Sequence, residues 1–362
     1  MGEEEGRLVV QVLDGGTLTG GPLVEEFERR VAAVVGARYA VAVSSGTAAL
    51  HLALMCLEVG AGDEVIVPDY TFPASANAVR LCGATAVLCD IDPSTFNLDP
   101  DDAARRVTSR TKAIMPVHLF GLPADMDAVL ALAREHRLRV VEDAACALGA
   151  TYRGHPCGAL GDVGCFSFHP RKIITTAEGG MLVTNDDRLA ERARALRNHG
   201  MRRQAEGVDF LETGYNYRLS EVHAALGVAQ MARLPDLLRA HRQRAAWYGE
   251  ELADIPGVAL PGEPPGCQHI YQAYVVRLDE RFNRDRVISR LRAQGVEASI
   301  GTYALSALSA YRDQTPLPRA RRVFQQALAL PLDAHLTREE VRAVARALRA
   351  ALNEELECGM SS

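Results

Sequence analysis

The sequence predicts an α/β fold: a seven-stranded, mostly parallel sheet flanked by helices, followed by a smaller C-terminal α+β domain. Three observations predict it. Near-continuous apolar runs rich in β-branched residues recur at 39–44, 64–68 (EVIVP), 85–91 (TAVLCDI), 112–117 (KAIMPV), 139–142 (RVVE), 163–168 and 181–184. Helix-like runs such as 123–136 (PADMDAVLALAREH) lie between several of them, the alternation expected of strands covered on both faces. Beyond a Pro- and Gly-rich loop at 256–266 (PGVALPGEPPG), the pattern changes to a short strand–helix–strand unit.

In chain order, residues 1–22 are expected to form an arm, because Gly15, Gly16, Gly20, Gly21 and Pro22 break regular structure. A large domain at 23–235 opens on a helix at 23–35. There Leu23, Phe27, Val31 and Val35 fall at helical spacing and Gly36 stops the run. The strand at 39–44 feeds through Ser45-Gly46-Thr47 into a helix at 48–57. Residues 187–199 read as a charged amphipathic helix ended by Gly200, and 201–214 as a polar loop. Asn216 and Arg218 precede a helix capped by Ser220. A long charged helix at 233–254 joins this part to a small domain at 236–362, which includes most of the linking helix. In that domain a strand at 273–278, a helix at 284–294 stopped by Gly295, and a strand at 296–300 come first. The last helix starts at Thr337, with Glu340 completing a capping box.

In such sheets the ligand lies beyond the carboxyl ends of the strands. The residues with useful chemistry gather there: Ser45 to Thr47, Asp69 to Phe72, His118, Asp143, and Ser167 to Lys172. Lys172 stands on a turn between two apolar strands within 161–186 (GDVGCFSFHPRKIITTAEGGMLVTND). Lysine is rarely buried unless it is paired or chemically employed. Desolvation is expected to lower its pKa and free a nucleophilic amine. Lys172 therefore reads as the lysine that holds pyridoxal 5′-phosphate (PLP) as a Schiff base. Ser45, Gly46 and Thr47 suit a phosphate, through unpaired amides of a first helical turn and hydroxyl donors, and suit a plain N-cap equally well. Asp143 is either a helix-capping acid or the partner that keeps the PLP pyridine nitrogen protonated. Phe72 either stacks on a flat ring or fills the core. Asn216 and Arg218 either cap a loop or bring a second phosphate contact to a neighbouring subunit.

Composition excludes several classes. Hydrophobic residues make up 48% of the 362 and charged residues 24%, normal for a chain with a full core. A formal net charge of -6 opposes nucleic acid as the main partner. No apolar run reaches the length of a membrane span. The acidic start, MGEEEGRLVV, lacks the features of a secretory signal, and the eight cysteines are scattered, so a cytoplasmic protein with free thiols is expected. Cys146, His155, Cys157 and Cys165 lie close in sequence but lack the paired spacing of a zinc site, so no metal is expected.

These segments together resemble the DegT/DnrJ/EryC1/StrS family of PLP-dependent sugar aminotransferases, of fold type I. The resemblance runs over nearly the whole length, through LTGGPLVEEFE, VAVSSGTAALHLAL, DYTFPASANAV, DIDPSTFNLDP, PVHLFGLPADMD, VVEDAACALGA, GCFSFHPRKIITTAEGGMLVT and GYNYRLSEVHAALG. It implies that Lys172 is the Schiff-base lysine and moves the proton, and that Asp143 pairs with the pyridine nitrogen. It further implies that Phe72 stacks on the ring and that Gly46, Thr47 and Ser167 hold the phosphate. Asn216 would reach in from the second subunit of a homodimer with shared active sites. Relatives with histidine in place of the lysine act as sugar dehydratases. Lys172 is present here, so His169 is a supporting group and the aminotransferase branch is implied. The sequence departs from the family's pattern in three places. Cys146 stands where glutamine is common near the PLP hydroxyl, and Ala177 where glycine is usual. The segment IGTYALSALSAYR stands near the acceptor sugar, where many members carry His-Tyr and a second histidine.

The implied activity is transamination of a nucleotide-linked ketosugar with glutamate as expected donor, giving an aminosugar. Two alternatives remain open on the sequence: an aminocyclitol ketone or other antibiotic precursor as acceptor, and a regulatory protein that binds PLP without turnover.

Overall fold

The computed structural model describes all residues of the chain except 205, 206, 312–314, 316, 361 and 362. The central sheet has seven strands: β1 (Tyr39–Val43), β2 (Glu64–Pro68), β3 (Thr85–Cys89), β4 (Thr111–Ile114), β5 (Arg139–Asp143), β6 (Val163–Ser167) and β7 (Gly180–Thr184). Their spatial order is β1-β7-β6-β5-β4-β2-β3. Only β7 runs antiparallel to its neighbours. These are the seven strands the apolar runs predict.

Because β7 is reversed, Gly180 pairs with Ser167. The segment between β6 and β7, with Lys172 on it, is therefore a loop at the carboxyl end of β6. Both sheet faces are covered. Val41 and Val43 of β1 point into one buried cluster, and Ala40 and Ala42 into another, the period-two alternation of a strand.

The helices used below are α1 (Glu3–Gly15), α2 (Pro22–Val35), α3 (Gly46–Cys56), α4 (Ala74–Leu81), α5 (Glu221–Leu252) and α6 (Arg338–Met360). The first corrects the expected arm. Leu8 and Val12, one turn apart, are buried, and α1 packs on α5. Glu5 is buried beside them and bonds to Gln230 and to Arg233 Nη1, the latter at 3.1 Å. Burying two such apolar side chains, at roughly 1.5–3 kcal/mol each, outweighs the cost of about 1 kcal/mol for Gly6 within the helix. The glycines break the chain only after Gly15, where Gly16 takes φ 74°. The turn into α2 is tied down by Glu221, whose carboxylate accepts from the amides of Gly21, Leu23 and Val24 at 2.9–3.0 Å.

Further expectations give way beyond residue 200. Met201–Gln204 and Gly207–Phe210 form an antiparallel pair in place of a plain loop. The helix capped by Ser220 and the helix at 233–254 are one element, α5, which passes through Pro235. The loop at 256–266 contains a two-residue strand, Val258–Ala259, at the edge of the small sheet. That sheet runs Val258–Ala259, Tyr274–Leu278, Ala327–Leu330, Ser299–Ile300, all antiparallel. The strand Ala327–Leu330 was not expected. Alanine and leucine favour helix, and only its pairing with Tyr274–Leu278 and Ser299–Ile300 makes it a strand. The sheet shares a buried cluster with the second half of α5, with Arg284–Ala293 and with α6. The predicted capping box is formed: Thr337 N–H donates to Glu340 Oε2 at 2.7 Å, and Glu340 N–H to Thr337 Oγ1 at 3.2 Å.

The C-terminal part reaches back to the carboxyl end of the large sheet. Tyr303–Ala304 pairs antiparallel with Tyr70–Thr71, just beyond β2. Ser306 donates to the buried Asp69 carboxylate from its amide at 2.6 Å and its hydroxyl at 2.8 Å.

Candidate active site

The loop from Phe168 to Gly179 is closed at its neck, where Phe168 N–H donates to the Gly179 carbonyl and Thr176 N–H to the Phe168 carbonyl. Two threonines stitch it internally. Thr175 Oγ1 donates to Phe168 O at 2.9 Å and Thr176 Oγ1 to Glu178 O at 2.8 Å. Ile173 and Ile174 are buried and anchor one side. Ala177 sits at φ 65°, in the left-handed region where glycine is at ease. The family's usual glycine there has this backbone reason. Lys172 N–H donates to His169 O, which closes the tight turn carrying the lysine.

The Lys172 side chain is half-buried, and its Nζ lies 3.0 Å from Cys146 Sγ. Its electrostatics correct the sequence expectation. Burial disfavours the ammonium, but the Cys146 sulfur and then the Asp143 carboxylate favour it more. The net effect holds the pKa above the ordinary lysine value. Replacing Cys146 by alanine leaves burial less opposed, so the pKa of Lys172 moves down. We expect labelling of Lys172 by trinitrobenzenesulfonate, read on its peptide, to reach its midpoint at lower pH in Cys146→Ala than in the wild type. An unmoved midpoint would show that Cys146 does not control the amine.

Asp143 ends β5 and is buried. Ser75 Oγ, on α4, donates to its Oδ2 at 2.7 Å, and the Ala145 amide to its Oδ1 at 3.1 Å. The second contact is a local turn, and no helix follows to be capped. Among the described residues, Asp143 makes no ion pair. A buried carboxylate held by two neutral donors keeps acceptor capacity for a charged N–H.

Ser45 is the N-cap of α3, its Oγ accepting from Ala48 N at 3.1 Å, so the plain capping reading holds for that residue. Gly46 and Thr47 occupy the first turn, where helix amides lack intrahelical partners. Gly46 lies directly against Ser167, and a Cβ added there would come within 2.8 Å of the Ser167 Cβ. Two segments far apart in sequence thus meet at the positive end of a helix, the Ser167 side chain beside the first-turn residue Gly46.

Phe72 is 62% exposed, which removes the core alternative. Its ring stands 6.5 Å from that of Tyr303. Asn216 is exposed, on a segment whose neighbour Tyr217 accepts the Ser44 amide. His118 is fully buried, with Nε2 2.9 Å from Glu142 Oε2 and Nδ1 accepting from Ala124 N. Both ring nitrogens are used in holding the fold. His169 is exposed and accepts the Arg171 amide at 3.3 Å. Among the described residues, no group of three or more His, Cys, Asp or Glu could hold a metal ion. Ser75, Ser306 and Gln272 carry no signal of their place in the sequence, since each gains it from a distant partner.

The arrangement offers an amine, a buried acid with spare acceptor capacity, a first helical turn beside a serine hydroxyl, and an exposed aromatic face. That is the donor set a phosphorylated pyridine aldehyde needs. The chain matches the DegT/DnrJ/EryC1/StrS aminotransferase family over residues 1–349. It is 45% identical to GDP-perosamine synthase of Caulobacter vibrioides over 338 residues, 91% of this chain and 90% of that protein. It is 39% identical to the UDP-N-acetyl-3-dehydro-alpha-D-glucosamine 3-aminotransferase of Acidithiobacillus ferrooxidans, covering 95% of this chain and 92% of that one. The solved PLP form of Spr1654 from Streptococcus pneumoniae superposes with a TM-score of 0.93 at 30% identity, covering 98% of this chain and 97% of that one. The chain belongs to the DegT/DnrJ/EryC1/StrS aminotransferase family and is a PLP-dependent aminotransferase of fold type I.

Proposed function

We propose that the enzyme moves an amino group from glutamate to a ketosugar carried on a nucleoside diphosphate, giving a nucleotide-linked aminosugar. The observation that carries the site assignment is that Asp143 and Ser167 end neighbouring strands, that the Asp143 carboxylate acts on Lys172, and that Gly46 rests against Ser167. Support for the acceptor class comes from the names of the two relatives, one a GDP-linked and one a UDP-linked sugar enzyme.

When bound, PLP supplies the carbonyl that takes up the amine and the ring that holds electrons during the proton shift. The amides of Gly46 and Thr47 and the Ser167 hydroxyl would hold the phosphate, and Phe72 would cover one ring face. Asp143, fixed by Ser75 and Ala145, would pair with the ring nitrogen and hold its proton. Lys172 Nζ takes the proton from the glutamate Cα and later gives one to the former carbonyl carbon of the sugar. The Tyr303–Ala304 strand, beside Phe72, borders the acceptor's approach.

The working unit we propose is a homodimer in which Asn216 of each copy completes the other's phosphate seat. The exposed Val208, Phe210 and Leu211 support a second copy on this side. No helix among the described residues is long and apolar enough to cross a membrane, which fits the cytoplasmic location we propose. We divide the chain into a large domain at 23–235 and a small one at 236–362, because α5 passes from one buried cluster to another across that boundary. The α1 contacts join residues 1–22 to the large domain.

The test is purified enzyme with glutamate against GDP-linked and UDP-linked ketosugars and a cyclitol ketone. We expect 2-oxoglutarate to form with a nucleotide-linked ketosugar. Formation with the cyclitol ketone alone would replace the acceptor proposed here.

A further inference from the structure

The turn bearing Lys172 is held from outside by one side chain. Gln272 Oε1 accepts the Ile173 amide at 2.7 Å, and its Nε2 donates to the Arg171 carbonyl at 2.6 Å. These two peptide groups flank Lys172. Gln272 belongs to the far part of the chain, two residues before the small-sheet strand Tyr274–Leu278. Its own backbone is fixed: Gln272 N–H donates to Phe120 O at 2.9 Å, and Ile270 N–H to Gly121 O at 3.1 Å. Tyr271 between them sits at φ 52°, and Phe120 at φ 55°. The approach at Gly121 is so close that a Cβ there would collide with Ile270 Cγ1 and come within 2.9 Å of the Cys146 carbonyl. The segment 270–272 thus holds the backbone on both sides of Lys172 directly, and it is bonded to Gly121, which lies beside the carbonyl of Cys146.

We propose that Gln272 is a positioning residue for Lys172. The inference rests on the reading of Lys172 as the proton-moving residue. The turn is bonded internally through Lys172 N–H and the two threonines, but the Arg171 carbonyl and the Ile173 amide face outward. A carboxamide matches them with one acceptor and one donor in a single plane, as a paired strand would. A carboxylate cannot donate, and a thioether donates nothing and accepts only weakly. Lysine has a long, flexible side chain, so where its amine can reach depends on where its Cα is held. Small misplacements of reacting groups carry large rate penalties. The clamp also makes the lysine's position depend on how the C-terminal segment is seated at Phe120 and Gly121.

The experiment compares wild type, Gln272→Met, which keeps the volume and removes both bonds, and Gln272→Glu, which keeps only the acceptor. In each, the PLP-loaded protein is titrated by absorbance, the Ile173 amide is followed by hydrogen exchange, and kcat and KM for glutamate are separated. We expect Gln272→Met to lower kcat about tenfold, from the loss of two hydrogen bonds, with KM within about twofold. We also expect it to shift the pH midpoint of the absorbance change and to speed exchange at Ile173, with Gln272→Glu in between. A Gln272→Met protein with wild-type kcat and an unshifted midpoint would overturn the inference, whatever its thermal stability. Borohydride reduction of the loaded wild type, with peptide mapping, separates the two levels. An adduct elsewhere than Lys172 removes the reading of the site itself. An adduct at Lys172 with an unaffected Gln272→Met removes only the role of Gln272.

Discussion

Lys172→Ala is expected to lower turnover of glutamate with a ketosugar by about 10³-fold or more, toward the upper part of the range for a positioned acid–base group. The substitution should leave the fold intact. The side chain is half-buried, and it bonds to Cys146. The loop keeps its neck at Phe168 and Gly179, its two threonine stitches and its buried isoleucines. The measurement is single-turnover absorbance of the loaded enzyme mixed with glutamate, with thermal unfolding as the control. Added small primary amines should restore part of the rate, because what is missing is an amine at one place and not a structural prop. Turnover within tenfold of wild type would show that another group moves the proton. The next nearest candidate by sequence, His169, is exposed and engaged with the Arg171 amide, so a rescue by His169 is not expected.

The parts of this site that the sequence made legible are the parts written locally. Each of the seven strands is a short apolar run with its own punctuation. Lys172, Asp143 and Gly46 fall at strand ends, where the doubly covered sheet directs attention. What was not legible depends on partners far along the chain. Ser75 meets Asp143 across 68 residues, Gln272 meets Ile173 across 99, and Ser306 meets Asp69 across 237. No spacing rule reaches so far. The raised pKa of Lys172 is illegible in the sequence for the same reason. Burial was foreseeable, but the direction is decided by Cys146 and Asp143, which the fold brings against it. The helix at Glu3–Gly15 was hidden differently: its apolar signal is short, and it becomes a helix by burying Leu8 and Val12 on α5. In the small sheet, Ala327–Leu330 shows tertiary pairing overriding helix-forming residues.

Asp143→Asn separates charge from shape at the other pole of the site. The amide side chain is isosteric, so its oxygen can still take the Ala145 amide. Its nitrogen can donate to Ser75 Oγ, which then turns its own proton toward the Phe72 carbonyl, a contact it already makes at 3.3 Å. Folding and cofactor binding should therefore survive. The charge facing the ring nitrogen does not. Leaving one member of a buried charged pair unpartnered costs about 3–5 kcal/mol, which corresponds to a loss in kcat of roughly 10²- to 10⁴-fold. The loss should fall on kcat more than on KM, since Asp143 acts on the cofactor and not on glutamate. The same comparison in Ser75→Ala should show a smaller loss, because the carboxylate keeps its charge and loses one neutral donor, worth about tenfold. If Asp143→Asn and Ser75→Ala fell by the same factor, the charge of Asp143 would not be what the site uses, and its role would reduce to holding α4 against β5.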